Sequence, residues 1–186
     1  RVGATNHLVI IDEVMAGANG NSNIQFVEMR MSASSQNKWG PQGGESVGRA
    51  RLVFFDASGT QTGQFVFDSN PPGSSNGSAL IATQAFADLS TTPTPDFIID
   101  PLLSTGSGKV CFKDNPSNPF RFGINLCLSY GDFPSGSTEG AGNPAAELPV
   151  NGASSLKRIS NLTSFGGQNN AHFELSDAAP KNGSGA

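Results

Sequence analysis

Two cysteines, Cys111 and Cys127, are the residues of this sequence best placed for covalent chemistry. Each lies in a short strand-like run, residues 109–113 and 125–130, and alternation puts each thiol on the polar-flanked side of its run. The two runs have opposite directions and a turn-rich connection, so a cross-strand disulfide is expected in an oxidising compartment. It would contribute roughly 3 kcal/mol for a loop of this size. Two thiols alone make a poor zinc site, because zinc prefers four ligands.

Two acids, Glu13 and Glu28, interrupt apolar strand-like runs and are the candidates for acid–base chemistry. Neighbouring strands could bring them together, with one carboxyl as the acid and the other as the base. The alternative is that each acid meets a cation or points to solvent. A desolvated acid without a partner is costly, so we favour an ion pair for Glu28, with Arg30 and Arg158 as the candidate cations.

Catalysis by a nucleophile has little support. Residues 73–77 match G-x-S-x-G, but two prolines precede them where a strand should end. A serine triad would also need a histidine, and the two in the chain are His7, at a strand start, and His172. Residues 106–109 lack the first glycine and the final Ser or Thr of a phosphate-binding loop. We therefore expect a protein that is not an enzyme, with an esterase-like hydrolase as a remote alternative.

Calcium is the cofactor that the loops could hold, although none is required. Asp68, Asn70 and Asp114 offer oxygen ligands, which are the kind that this hard cation needs. These loops lack the D-x-[DN]-x-[DN]-G signature of a calcium-binding loop. Asp and Asn are also ordinary turn residues, so a purely structural role in turns is the alternative.

The elements that would position these residues are short strands. Glycine (23 of 186 residues) and proline (12) are abundant, charged residues make up 14%, and 13 phenylalanines supply a core. This composition predicts one all-β domain over residues 1–186, with a core over about 7–176 and a flexible tail over 177–186. A single short helix is expected at residues 79–89, where apolar residues recur every four positions. Strands are expected at residues 7–15, 24–31, 51–56, 64–68, 97–99, 109–113, 125–130, 156–159 and 172–175.

The charge balance limits the classes of partner. A net charge of −4 with scattered Lys and Arg argues against binding to nucleic acid. No apolar stretch is long enough for insertion into a membrane. A chain that begins at Arg1 without an apolar leader fits a mature secreted product, as it also fits a trimmed chain. Together with the expected disulfide, this predicts a secreted protein of the extracellular space or the cell surface.

The order of short motifs resembles the lamin-tail domain in its bacterial extracellular form. The resemblance extends from about residue 8 to residue 182, and it rests on the ordered series rather than on any single piece. The resembling pieces are IIDEV (10–14), FVEM (26–29), LVFFDASG (52–59), LIATQAFADL (80–89), GKVCF (108–112), CLSYG (127–131), SSLKR (154–158), NNAHF (169–173) and AAPKN (178–182).

The resemblance implies an immunoglobulin-like β-sandwich that serves as an interaction module and is not a catalytic unit. It also places Arg158 at a recurrent position of the closing strand, which makes Glu28 and Arg158 the predicted structural ion pair. This sequence lacks the heptad rod of a nuclear lamin, so a role in the nuclear lamina does not carry over.

The expected function is that of an extracellular structural protein that self-assembles into a surface layer, filament or matrix. Its partner would be a second copy or another cell-surface protein, because a sandwich leaves open sheet edges that a strand can join. The alternative is a secreted module that binds a glycan or a surface protein, with Trp39 and Tyr130 as an exposed aromatic platform. The expected donor strand for assembly consists of Arg1, Val2, Gly3, Ala4, Thr5, Asn6, His7 and Leu8.

Overall fold

The structure, a computed structural model, describes residues 8–72, 77–119, 123–134, 142–159 and 169–185. Within these ranges the chain forms ten strands and two helices of four residues each. The elements are β1 (Val9–Met15), β2 (Phe26–Met31), β3 (Ala50–Phe55), β4 (Gln61–Val66), β5 (Ser78–Thr83), α1 (Gln84–Ala87), β6 (Phe97–Ile99), β7 (Gly108–Asp114), β8 (Asn125–Tyr130), β9 (Ser154–Arg158), α2 (Asn169–His172) and β10 (Phe173–Asp177).

The described strands form two sheets, as expected for an all-β sandwich. The larger sheet has the order β10-β9-β1-β2-β5-β6, and the smaller sheet has the order β4-β3-β7-β8. All neighbours are antiparallel except β5 and β6. The predicted fold class is therefore confirmed, with a second short helix in addition to the one expected.

The core lies between the two sheets and follows directly from strand alternation. In β2, Val27, Met29 and Met31 join the main core, whereas the alternate residues point to the opposite face of the sheet. The polar segment before β3 contributes Trp39, whose ring packs 4.9 Å from that of Phe67. A segment that looks like a loop in the sequence thus supplies one of the largest side chains of the core.

The helix predicted at residues 79–89 is wrong over its first half. Residues 78–83 form β5, which pairs with β2, and α1 occupies only four residues. Ala79 and Ile81 face the main core, whereas Leu80 and Ala82 join a second apolar cluster on the other face of the sheet. An alanine-rich apolar run fits both a helical and a strand period, and here the pairing with β2 selects the strand.

The tail predicted to be flexible over 177–186 is docked in its described part. Residues 178–185, which we call the strap, cross the face of the larger sheet that points away from the smaller one; we call this the outer face. Ala178 N donates to Ala153 O at one end, and Asn182 Nδ2 donates to Thr94 O near the other. The sandwich therefore has a third, thin layer over part of its larger sheet.

Candidate functional site

The predicted disulfide is present in the structure. Cys111 and Cys127 are direct cross-strand partners in β7 and β8, and their Cα atoms lie 4.0 Å apart. Val110 and Phe112 point into the main core, so the bond lies on the outer face of the smaller sheet, where it packs against Phe55. The alternation that predicted this bond is thus confirmed, although both cysteines are buried on that face.

The predicted ion pair between Glu28 and Arg158 does not form among the described residues. Strand β1 lies between β2 and β9, so these two residues are not on neighbouring strands. Arg158 Nε instead donates to Ile11 O at 3.0 Å, and its guanidinium lies over the ring of Phe173. The other candidate cation, Arg30, pairs with Asp12 at 2.9 Å.

Glu13 is the acid that receives a cation. It is the cross-strand partner of Glu28 on one side and of Lys157 on the other, and Lys157 Nζ lies 3.2 Å from Glu13 Oε2. Glu13 Oε1 accepts from Ser155 Oγ at 2.7 Å and from Ala179 N at 2.9 Å. With only 1% of its surface exposed, this carboxylate joins β1 to both β9 and the strap.

Glu28 has a similar double role one strand further along. Its carboxyl accepts from Ser78 Oγ at 2.5 Å and from Lys181 N at 3.0 Å, so it joins β2 to β5 and to the strap. Burial raises the pKa of Glu28 to about 7, and the nearby charges of Asp12 and Glu13 act in the same direction. The two hydrogen bonds oppose this rise without cancelling it.

Asp96 completes the series at the far end of the strap. Its Oδ2 accepts from Leu80 N and from Gly183 N, both at 2.8 Å. Gly183 has no room for a side chain, because a Cβ there would lie 2.5 Å from Pro72 O. Three carboxylates therefore accept from the backbone N–H groups of alternate strap residues, which is the period of an extended chain. We call Glu13, Glu28 and Asp96 the carboxylate row.

The predicted aromatic platform is wrong. Trp39 and Tyr130 are both fully buried, and neither presents a ring to solvent. Trp39 Nε1 donates to Gln36 O at 2.6 Å, and Tyr130 Oη donates to Ser104 O at 2.8 Å. These are core aromatics whose polar atoms are satisfied internally, which is the usual condition for burying Trp and Tyr.

The three predicted calcium ligands act as acceptors in separate turns. Asp68 Oδ1 accepts from Ser69 Oγ, and Asn70 Oδ1 accepts from Gly40 N and Gln42 Nε2. Asp114 Oδ2 accepts from the backbone of residues 123 and 124. In the described part of the chain, no group of three or more His, Cys, Asp or Glu residues is arranged to hold a metal ion.

The predicted donor segment lies almost entirely outside the described residues, as does most of the G-x-S-x-G run at 73–77. Residue 8 is the described end of the donor segment. Leu8 N donates to Gln36 Oε1 at 2.9 Å, and Leu8 O accepts from Ser32 N at 2.8 Å. The backbone of Leu8 is therefore already used inside its own subunit, which leaves residues 1–7 as the candidate donor.

Strand β10 is the most open of the sheet edges in the described ranges. It pairs there with β9 alone, and Leu175 is 45% exposed. By contrast, β8 is bridged at Tyr130 by Ala145, and β4 is approached by Leu102, whose carbonyl accepts from Thr62 Oγ1. The fourth edge, β6, has only three residues, of which Ile98 is 46% exposed.

An open groove of about 500 Å³ lies beside the strap. Met15 and Phe86 form part of its lining, Leu89 borders it, and the first strap residues, Ala178 to Pro180, supply the opposite wall. The groove continues the second apolar cluster, in which Phe26 and Phe86 pack edge to face at 5.3 Å. A second groove of about 390 Å³ lies along the later strap residues, 181–185, and Arg30 and Ser78 form part of its lining.

Comparison with known proteins identifies no relative of this chain. The sequence matches no protein-family model, no curated protein and no solved structure. Among the described residues, no helix has the length and apolar character needed to cross a bilayer. Three features of the described residues bear on function: the open edge of β10, the docked strap and the disulfide.

Proposed function

We propose that this protein is a non-enzymatic structural protein of the extracellular space, and that copies of it assemble through the edge of β10. The observation that carries the proposal is the edge strand Phe173–Asp177, which pairs with β9 alone in the described ranges. An edge of this kind presents backbone N–H and C=O groups to any extended segment. The resemblance to bacterial extracellular lamin-tail domains, which are interaction modules with an immunoglobulin-like fold, supports the same conclusion.

The N-terminal segment of a second copy is the proposed occupant of this edge. Residues 1–7 precede β1, and an extended conformation would place Val2 and Ala4 on one side of this segment. Arg1 carries a charge opposite to those of Glu174 and Asp177, both of which are exposed on β10. An added strand gains its affinity from main-chain hydrogen bonds and its register from such side-chain matches.

A contact between one end of a subunit and the sheet edge of the next is head to tail. Such contacts build a filament when their rotation does not close into a ring. The buried disulfide supports an oxidising environment, where such bonds form and persist. The competing function, binding of a glycan on an aromatic platform, loses its proposed residues because Trp39 and Tyr130 are buried.

Sedimentation and electron microscopy of the purified chain test the proposal. We expect ordered polymers from the full chain and monomers from a chain that lacks residues 1–7. The variant Leu175→Lys should also stay monomeric, because it places a charge on the β10 edge.

Ile98→Lys is the matched control, since Ile98 is an equally exposed apolar residue on the opposite edge of the same sheet. It should assemble as the parent chain does. A parent chain that remains a monodisperse monomer at high concentration would show that the assembly proposal is wrong. The proposal would also be wrong if Ile98→Lys abolished assembly while Leu175→Lys left assembly intact.

A further inference from the structure

The strap is the direct continuation of β10, so the contacts that hold the strap also hold the proposed assembly edge. Strand β9, which carries β10, pairs with β1 at only two positions, Glu13 with Lys157 and Val14 with Leu156. Strands β1 and β2, in contrast, pair at six positions. The sheet ladder alone therefore attaches the β9–β10 hairpin weakly, and other contacts must fix it in place.

The buried side chains of Leu156 and Phe173 and the bond from Arg158 Nε to Ile11 O supply some of those contacts, and the carboxylate row adds others through the strap. Each of its acids bonds the strap and, at the same time, a strand or strand pair beneath it. Glu13 accepts from Ser155 of β9 and from Ala179, Glu28 from Ser78 of β5 and from Lys181, and Asp96 from Leu80 of β5 and from Gly183. All three strap donors are backbone N–H groups, and a carboxyl oxygen accepts such a bond whether the acid is ionised or protonated.

We infer that the strap is a releasable latch: its backbone bonds to Glu13, Glu28 and Asp96 fix the β9–β10 hairpin on the sheet, and its release loosens the edge that receives the neighbouring subunit. The consequence for assembly rests on the proposed function. The latch itself is a property of one subunit and can be measured on a monomer.

The protonation of Glu28 makes release of the strap depend on pH, and rising pH favours release. With the strap docked, burial holds the pKa of Glu28 at about 7, against an ordinary value of 4.5 for a hydrated carboxyl. Release of the strap hydrates this carboxyl, so ionisation favours the open form as the pH rises through the interval from about 4.5 to 7. Linkage sets the upper limit of this effect at about a 300-fold rise in the open population, if release restored the ordinary pKa completely.

The charges around Glu28 do not reverse this direction. Burial is the largest influence on the pKa of Glu28, and the two negative neighbours on β1 raise it further. Arg30 is engaged by Asp12, and Lys157 by Glu13. The charged groups around Glu28 and its immediate neighbours are Asp12 and Glu13 of β1, Arg30 of β2, and Lys157 and Arg158 of β9, whereas Lys181 contributes its backbone N–H.

Amide hydrogen exchange on the monomeric Leu175→Lys chain tests the latch. Exchange at pH 5 and pH 8 is corrected for the intrinsic rate, and the amides of Ala179, Lys181 and Gly183 are compared with that of Phe112 in the core. We expect protection of the strap amides and of β10 to fall at pH 8, while Phe112 stays unchanged. Glu28→Gln should remove the pH dependence and leave the strap protected at both values.

Lys181→Pro provides a second test that leaves every acid in place. It deletes the N–H that Glu28 accepts, so the strap and β10 should exchange faster at both pH values. Lys181→Ala keeps this N–H and should behave as the parent. Strap amides that are unprotected at every pH would overturn the latch, as would a pH dependence that survives in Glu28→Gln.

Assembly assays separate the latch from the proposed function. If the otherwise unmodified chain assembles and its Lys181→Pro variant assembles equally well, the strap does not control the edge, although assembly itself stands. If the chain never assembles, the proposed function fails, whereas the exchange experiment still decides whether the strap is released with rising pH.

Discussion

The two outer faces of the sandwich are closed by different chemistry. On the smaller sheet, a disulfide joins β7 and β8, and Lys109 lies over the rings of Phe55 and Phe133 at 4.5 and 5.0 Å. On the larger sheet, a strap without any covalent link is held by three carboxylates. The first face depends on redox conditions and hardly on pH, whereas the second depends on pH and not on reductant. One domain thus carries a covalent closure on one face and a non-covalent closure on the other.

The largest loss in the free energy of unfolding is expected when Glu13, which holds the strap on the larger sheet, is replaced. Glu13→Ala leaves Ser155 Oγ and Ala179 N without their acceptor, at about 1–3 kcal/mol for each donor, whereas the 38% exposed Lys157 is hydrated by solvent and adds little. Urea denaturation would measure the loss in the free energy of unfolding. Glu174→Ala is the matched control, because Glu174 is an exposed acid in the same cross-strand row, and it should change stability by less than about 0.5 kcal/mol. Equal losses in the two variants would contradict the special role of Glu13.

Removal of the disulfide is expected to have the next largest effect. The double variant Cys111→Ala with Cys127→Ala opens a loop with a sequence separation of 16, which costs roughly 3 kcal/mol. The exchange of the strap amides should stay as in the parent, because the bond lies on the other sheet. Faster strap exchange in this variant would show that the two closures are coupled.

The smallest of the three effects is the pH dependence of stability that arises from Glu28. Its pKa is raised on folding, so the protonated form is favoured in the folded state. The contribution of Glu28 to the free energy of unfolding should be largest below about pH 4.5, fall by roughly 2–3 kcal/mol between pH 4.5 and 7, and level off above that. Denaturation at pH 5 and pH 8 measures the fall, and Glu28→Gln should abolish it.

Glu45 acts in a separate window of pH. Its hydrogen bonds with Arg49 hold its pKa at about 2, so the stability it contributes is lost only as the pH falls below about 4.5. Measurements between pH 5 and pH 8 therefore avoid the contribution of Glu45. A pH slope in this range that persists in Glu28→Gln would contradict the assignment.

The sandwich and the disulfide could be predicted from the sequence, but the docking of the strap on the carboxylate row could not. Alternation in residues 24–31 and 109–113 identifies which side chains face the core, and the same alternation brings the two thiols together. The strap lacks such a pattern, because its donors are backbone N–H groups that every residue except proline possesses. Its small residues, glycines and proline look the same in a docked segment as in a loose tail. The available indication was indirect: Glu13 and Glu28 in apolar strands require donors from somewhere.

The errors in side-chain partners have a common physical origin. The order of strands in the larger sheet places β1 between β2 and β9, and this order is not written in the local sequence. Glu28 therefore could not reach Arg158, although both residues and their strands were expected. Trp39 and Tyr130 show the same limit, because composition alone does not separate an aromatic platform from an aromatic core.

The docking of the strap by its backbone has an evolutionary consequence. Where recognition uses N–H groups, most side chains of the docked segment can be exchanged without changing the contact, so selection falls on the acceptors and on the few positions with steric limits. In descendants of this chain we expect the acids at 13, 28 and 96 and the glycine at 183 to persist. The residues at positions 179 and 181 would vary. Two straps with little sequence in common would still dock at the same place on the larger sheet.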